Sequence, residues 1–259
     1  MIPCLFHCPR GALKNEFRPV VSYYLDNCEM PTSQTVEVIT YNNSKIRFAL
    51  EIQADRLNLK LHVVAREFRP WTWVAKITEP KRLLETFPSL DRIIMLADGN
   101  DTIFTRPPYI NQVESVLKHY GSPLVLFCPT GVNWPPDERC GLFESSLSTS
   151  SKPFLSAGAY VGTIAGILQG MEWIEERRKN GWFKFRGRFS DQLAWRQAHQ
   201  ALYSKFRIDT EGLLFNRFDQ KFLSSVAMEM PWNRRTTINS AHEPKTITKV
   251  ILQNGDRLR

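Results

Sequence analysis

Between residues 35 and 98 the chain alternates segments with strand patterns and segments with helical patterns. The strand patterns cover residues 35–41, 59–65 and 91–98, and the helical patterns between them cover residues 45–58 and 77–87. Strands that are joined through helices run parallel, with right-handed connections. We therefore predict an α/β fold, with a mostly parallel central sheet flanked by helices.

Local features refine this pattern. The segment 91–98, DRIIMLAD, is apolar along its middle, which is typical of a strand buried on both faces. We predict Thr78 as the N-cap of its helix, with Pro80 in the first turn. Further strand patterns lie at residues 122–130, 154–163 and 206–218, and further helical patterns at 164–181 and at 191–202, where Ser190 is the predicted N-cap.

The composition, 42% hydrophobic and 23% charged over 259 residues, is that of an ordinary globular protein. Residues 1–34 lack clear periodicity, so we expect an irregular leader, or a short helix around residues 18–25, before one domain over residues 35–259. No stretch approaches the roughly 18 apolar residues of a membrane helix. His7 and Pro9 interrupt the apolar start, unlike a signal peptide, so we expect a cytoplasmic protein with five free thiols.

The formal net charge of +8 allows an anionic partner. Residues 175–189, EERRKNGWFKFRGRF, interleave basic and aromatic residues, as nucleic-acid-binding surfaces often do. A solvated helix end followed by a loop explains the same pattern. The stretch therefore leaves DNA open as a partner.

Two carboxylates follow the apolar strand 91–98 on a turn. Asp98 and Asp101 flank a Gly-Asn pair, and they lie at the carboxyl edge of the predicted sheet, where ligands bind in such folds. Carboxylate oxygens suit Mg²⁺ or Mn²⁺, which can also bind a diphosphate. Two solvated acids at a strand end are the alternative interpretation of this spacing.

Several motifs, taken in order, resemble one family. They are DRIIMLADGNDTIF (91–104), LVLFCPTGVNWPPDE (124–138), KPFLSAGAYVGTIAGI (152–167), SDQLAW (190–195), RIDTEGLLFNRF (207–218) and AHEPKT (241–246). The set resembles the glycosyltransferase domain of procollagen lysyl hydroxylases and related GT-A enzymes, over about residues 35–250. The resemblance implies a GT-A, Rossmann-like domain that binds a UDP-sugar.

By this resemblance, Asp98, Asp101 and His242 are the ligands of Mn²⁺ or Mg²⁺, and Lys245 lies near the diphosphate. The resemblance also implies a set of residues around the nucleotide and the sugar, with Trp73 preferred to Trp71 for the base: Thr40, Tyr41, Trp73, Lys76, Asn100 and Gly158. Asn100 stands where the family has an aromatic residue, which leaves the identity of the nucleotide open.

The remaining implied residues surround the transferred sugar and the acceptor. Asp191 is expected beside the sugar, where it orients hydroxyl groups, stabilises developing positive charge or accepts a proton. Gln192 is expected to hydrogen-bond the sugar, Ser156 to allow close approach of the backbone, and Trp134 to line the acceptor side. Three positions depart from the family pattern: Ala157, Ala159 and Ser190.

We therefore expect a metal-dependent glycosyltransferase that transfers a sugar from a UDP-sugar to an acceptor hydroxyl. One alternative is a glycosyltransferase that acts on hydroxymethylated bases in DNA, in a phage-like setting. A second alternative is a binding protein that keeps the fold and has lost turnover, which the departures at Ala157, Ala159 and Ser190 favour. Retention of all four expected site residues argues against this second alternative: Asp98, Asp101, Asp191 and His242.

Overall fold

The computed structural model describes residues 3–8, 14–67 and 71–218. The predictions for His242 and Lys245 lie outside the described residues. The strands are β1 Leu5–His7, β2 Glu37–Tyr41, β3 Leu61–Val64, β4 Ile93–Asp98, β5 Thr102–Phe104, β6 Val125–Thr130, β7 Phe154–Thr163, β8 Lys184–Phe185, β9 Arg188–Phe189, β10 Phe206–Ile208 and β11 Phe215–Arg217. The helices are α1 Lys14–Asn27, α2 Ala49–Arg56, α3 Ala75–Leu84, α4 Ile110–His119, α5 Glu138–Leu147, α6 Ile164–Arg178 and α7 Asp191–Ala201.

The central sheet has six strands in the order β10-β6-β7-β4-β2-β3. The pairs β2–β3, β2–β4 and β6–β10 are parallel, whereas β7 runs antiparallel to both β4 and β6. The predicted α/β class and mostly parallel sheet are confirmed. The antiparallel β7 sits in the middle of the sheet, so its first residues lie at the same edge as the last residues of β4.

Helices cover both faces of this sheet. Alternate residues of β4 belong to different core clusters, Leu96 to one and Met95 to the other. The first cluster includes residues of α3, α6 and α7, and the second includes residues of α2 and α4. The apolar run of β4 is therefore buried on both faces, as its sequence predicts.

A second, smaller sheet joins the N-terminal segment to the rest of the domain. Its order is β11-β1-β5, with β1 parallel to β11 and antiparallel to β5. The phenyl ring of Phe6 lies 6.4 Å, centroid to centroid, from that of Phe218. The predicted helix around residues 18–25 is confirmed as part of α1, whereas the expectation of an irregular leader is wrong for residues 5–7, which form β1. Side chains of this segment are buried against residues from later in the chain.

Two predictions of helix starts have different outcomes. Ser190 caps α7, since its Oγ accepts a hydrogen bond from the backbone N–H of Leu193 at 3.2 Å. Thr78 does not cap α3, which begins at Ala75. Its hydroxyl instead donates to the carbonyl of Val74 from within the helix, at 3.4 Å. The helical geometry thus extends one turn further back than Thr78 and Pro80 indicate.

Two observations bear on other expectations from the sequence. The described residues contain no helix that combines the length and the apolar character needed to cross a membrane. All five cysteines are free, as predicted.

Candidate functional site

A cavity of about 740 Å³ opens at the carboxyl end of β4. Small-ligand sites usually measure about 300–1,000 Å³. The cavity wall includes these residues implied by the family resemblance: Trp73, Lys76, Asp98, Asp101, Trp134, Ser156, Gly158, Asp191 and Gln192. Segments that are distant in the sequence therefore meet at one site, at the sheet edge where the sequence predicts it.

Asp98 and Asp101 form a cluster with His7, and the ligating atoms of the three side chains lie within 4.8 Å of one another. The Nε2 atom of His7 is 3.7 Å from Oδ1 of Asp101 and 4.0 Å from Oδ2 of Asp98. Opposite ligands of a divalent cation lie about 4–5 Å apart, given metal–oxygen distances of about 2.0–2.6 Å. The size and the donor atoms of the cluster therefore suit a divalent cation.

The backbone fixes this cluster. Asp98 ends β4 and Asp101 precedes β5, so the turn between these two strands carries both acids. The hydroxyl of Thr102 donates to the carbonyl of Asp98, and the N–H of Cys8 donates to the carbonyl of Asp101 at 2.7 Å. His7 pairs with Thr102 across β1 and β5. The N-terminal strand thereby brings His7 to the acidic turn.

Gly158 makes room for the imidazole of His7. A β-carbon built on Gly158 would lie 2.4 Å from Nε2 of His7, which is far below a van der Waals contact. Gly158 belongs to a part of β7 where the pairing with β6 is irregular, since the register shifts between Phe127 and Cys128. Gly158 was expected to let the backbone approach a sugar, and in the structure the space in front of it holds His7.

Lys76 connects the acidic turn to the start of α7. Its Nζ atom is 2.5 Å from Oδ1 of Asp98 and 3.4 Å from Oδ2 of Asp191. Burial lowers the pKa of Lys76, but Asp98 and Asp191 raise it by more, so the net pKa is above its ordinary value. The ammonium group is therefore charged throughout the neutral range.

The pKa of Asp98 reflects opposing influences. Burial raises the pKa of Asp98, the ammonium of Lys76 lowers it, and the neighbouring Asp101 raises it again, so that the net pKa is above its ordinary value. Because Lys76 contacts Oδ1, the second oxygen, Oδ2, is the one that faces His7. Asp98 can thus keep its contact with Lys76 while Oδ2 serves as a ligand.

The side-chain amide of Gln192 forms hydrogen bonds with the backbone of β7. Its Oε1 atom accepts a hydrogen bond from the N–H of Ala157 at 2.8 Å, and its Nε2 atom donates to the carbonyl of Leu155 at 2.6 Å. These bonds replace sheet hydrogen bonds next to the irregular part of β7. The expected sugar contact of Gln192 stays a prediction, because Gln192 also lines the cavity and each polar atom of its amide can make one further hydrogen bond.

The two tryptophans before α3 have different environments. Trp73 lines the cavity, and Nζ of Lys76 lies 5.3 Å from the centroid of its ring. Trp71 packs against the hydrophobic core and lies edge-to-face with Trp73. The structure thus agrees with the choice of Trp73 rather than Trp71 for the cavity.

Thr40, Tyr41 and Asn100 do not belong to the described wall of the cavity. The hydroxyl of Thr40 donates to the carbonyl of Ala97 at 2.8 Å within the sheet. Tyr41 is buried, and its hydroxyl lies 3.4 Å from that of Tyr160. Asn100 is exposed on the turn. The contacts of these three residues with a nucleotide stay predictions.

Some cavity residues are absent from the sequence-based set. His7 comes from β1, a three-residue strand that is too short to show the alternation of apolar and polar residues typical of a strand. Arg217 comes from the end of β11. Four further new members lie in the basic-aromatic stretch: Phe185, Arg186, Arg188 and Phe189. That stretch was recognised by composition, but its position at the cavity depends on tertiary structure.

No protein-family model matches the chain, and it has no match among curated proteins.

Proposed function

We propose that the protein is a metal-dependent glycosyltransferase with a GT-A-type domain that transfers a sugar from a UDP-sugar to an acceptor hydroxyl. The observation that carries this proposal is the His7–Asp98–Asp101 cluster within one cavity that also contains Lys76 and Asp191. The location of the cavity beyond the carboxyl end of β4 supports it, since α/β sheets bind nucleotides at this edge.

His7, Asp98 and Asp101 would hold Mn²⁺ or Mg²⁺. Carboxylate oxygens are preferred ligands of both ions, and the imidazole of His7 adds a nitrogen donor. Such a cation supplies positive charge that stabilises a diphosphate leaving group. We therefore propose His7 as the third metal ligand, whereas the family resemblance implied His242 for this role.

The cationic side chains of the wall suit a diphosphate. Lys76 and Arg217 lie on the same cavity wall as the acidic cluster, and Arg186 and Arg188 lie on the part formed by the β8–β9 hairpin. The donor brings negative charge that Asp98, Asp101 and Asp191 alone would repel. These cations reduce the repulsion, and Trp73 offers a ring face or edge to the uracil base.

Asp191 is the proposed catalytic carboxylate. Its side chain is 12% exposed at the start of α7, and Lys76 holds its Oδ2 atom at 3.4 Å. In the transfer, the bond from the anomeric carbon to the diphosphate oxygen breaks, and its electron pair leaves with UDP. The acceptor oxygen forms the new bond to that carbon, and its proton passes to an oxygen of the departing diphosphate. Asp191 stabilises the positive charge that develops on the sugar between these events.

Calorimetric titration of UDP and donor hydrolysis test this function. We expect UDP to bind in the presence of Mn²⁺ and to lose most of its affinity in EDTA. Asp101→Asn should reproduce the effect of EDTA, whereas the same exchange at the exposed position before β4, Asp91→Asn, should retain binding. Release of UDP from one of several UDP-sugars would identify the donor. UDP binding that is equal with Mn²⁺ and with EDTA would contradict the proposal, as would absence of binding in both.

A further inference from the structure

The β8–β9 hairpin carries cations that no acid among the described residues neutralises. Lys184, Arg186 and Arg188 are exposed, and the structure assigns none of them an acidic partner among the described residues. The two acids of the preceding helix end are engaged elsewhere: Glu175 is 2.7 Å from Lys81, and Glu176 is 3.1 Å from Arg177. The hairpin therefore presents positive charge to an external anion.

Aromatic rings lie between these cations at the cavity. Trp134 is 47% exposed, and its ring centroid lies 5.0 Å from that of Phe185 in an edge-to-face arrangement. The guanidinium of Arg186 is 5.3 Å from the ring of Phe185 and 6.0 Å from that of Trp134. An exposed ring of this kind offers a stacking surface, and the adjacent guanidinium offers a contact for a phosphate.

A second cavity also combines aromatic rings and cations in its wall. It measures about 490 Å³ and is lined by Trp173, Arg177, Trp182 and Arg139, among others. Trp182 is 51% exposed, and the guanidinium of Arg177 lies 4.1 Å from the ring centroid of Trp173. The three residues from Trp182 to Phe185 span at most about 11 Å of extended chain, so the two cavities are close together.

We propose that the hairpin, Trp134 and Trp182 bind a single-stranded nucleic acid, and that this strand presents the acceptor hydroxyl to the site. Exposed rings alternating with unpaired cations match bases and phosphates that alternate along a strand. A single strand is favoured over a duplex because only unstacked bases can reach rings that line cavities. The statement about the acceptor depends on the proposed function, whereas the statement about binding does not.

Fluorescence anisotropy with a labelled oligothymidylate of about 12 nucleotides tests binding without donor and in EDTA. We expect the wild-type protein to bind, with an affinity that falls as salt rises from about 50 to 200 mM. Arg186→Ala combined with Arg188→Ala should weaken binding at least tenfold and reduce the salt slope by about 1.4, since each phosphate contact contributes about 0.7. Trp182→Ala should weaken binding roughly five- to 150-fold with an unchanged salt slope.

Lys118→Ala combined with Lys205→Ala is the matched control, because it removes two exposed cations away from the hairpin. Unchanged affinity in this control supports the proposal. The proposal would be overturned if the control variant lost as much affinity, if the wild-type protein did not bind the oligonucleotide, or if it bound a duplex more tightly. It would also be overturned if polyphosphate displaced the oligonucleotide equally well from the wild-type protein and from Trp182→Ala. Because the assay contains neither metal nor UDP, its outcome is independent of whether the glycosyltransferase proposal holds.

Discussion

The ammonium of Lys76 lies 2.5 Å from Oδ1 of Asp98, between the candidate metal cluster and the start of α7. The same Nζ atom is 3.4 Å from Asp191, so one cation is shared by two partly buried acids. Loss of this cation would leave both carboxylates in a poorly solvated cavity without their nearest opposite charge. Lys76 therefore has a structural role at the site in addition to any contact with a ligand.

Lys76→Met should lower the free energy of unfolding by about 3 kcal/mol, because removal of one partner leaves uncompensated charge in a buried group. Lys81→Met is the matched control on the same helix, since Lys81 pairs with Glu175 at a more exposed position. This control should lower the free energy of unfolding by less than about 1 kcal/mol. Urea unfolding at pH 7 measures both values. Equal losses would show that Lys76 is not coupled to the acids as described.

Gly158→Ala should displace His7, because the added β-carbon would lie 2.4 Å from the imidazole. We expect a loss of about 1–3 kcal/mol in the free energy of unfolding, as for other overpacked sites. The double variant Gly158→Ala/His7→Ala should recover part of this loss, since the smaller side chain removes the clash. Strictly additive effects of the two substitutions in unfolding experiments would contradict the contact.

Gln192→Ala should destabilise the fold by about 2 kcal/mol, because it leaves the N–H of Ala157 and the carbonyl of Leu155 without their partner. Gln192→Glu should also destabilise the fold, because its carboxylate can accept from Ala157 but would face the carbonyl of Leu155 as a second acceptor. Thermal unfolding distinguishes this bracing role from the sugar contact implied by the sequence. A variant with normal stability and lost activity would favour the sugar contact.

The buried His199 should make stability depend on pH. Burial lowers the pKa of His199 to about 3, so this side chain stays neutral in the folded protein at pH 5. The unfolded chain takes up a proton below pH of about 6.5, and this favours unfolding by about 1.4 kcal/mol per pH unit. The glutamine of the variant His199→Gln takes up no proton. Relative to this variant, the free energy of unfolding of the wild-type protein should fall by about 2 kcal/mol between pH 6.5 and pH 5. Urea unfolding at several pH values measures this difference. The effect would be excluded if the free energy of unfolding of both proteins fell by the same amount between pH 6.5 and pH 5.

The sequence predicts the features that depend on local patterns. The apolar run of β4, the acids that follow it and the cap at Ser190 are each encoded within a few neighbouring residues, and the structure has them at the expected places. The position of Asp98 and Asp101 beside the cavity follows from the rule for parallel sheets.

Other features depend on contacts between distant segments. His7 reaches the acidic turn only because β1 pairs with β5, and three residues are too few for a pattern to predict that pairing. Gln192 faces the irregular part of β7, which no local sequence pattern predicts. Helix α5 begins at Glu138 within a segment that its prolines mark as a loop, with Asp137 as its N-cap.

The position of β1 between β5 and β11 also determines when the site can be completed during synthesis. His7 pairs with Thr102 on one side and with Arg217 on the other, and the N–H of Phe218 donates to its carbonyl at 2.8 Å. The ribosome makes β1 before β5, and β11, its other neighbouring strand, is translated much later. Such distant pairings form slowly, since a long loop must close first. In a nascent chain, His7 therefore lacks its contacts with β11 and Phe218 until residues 215–218 have been synthesised.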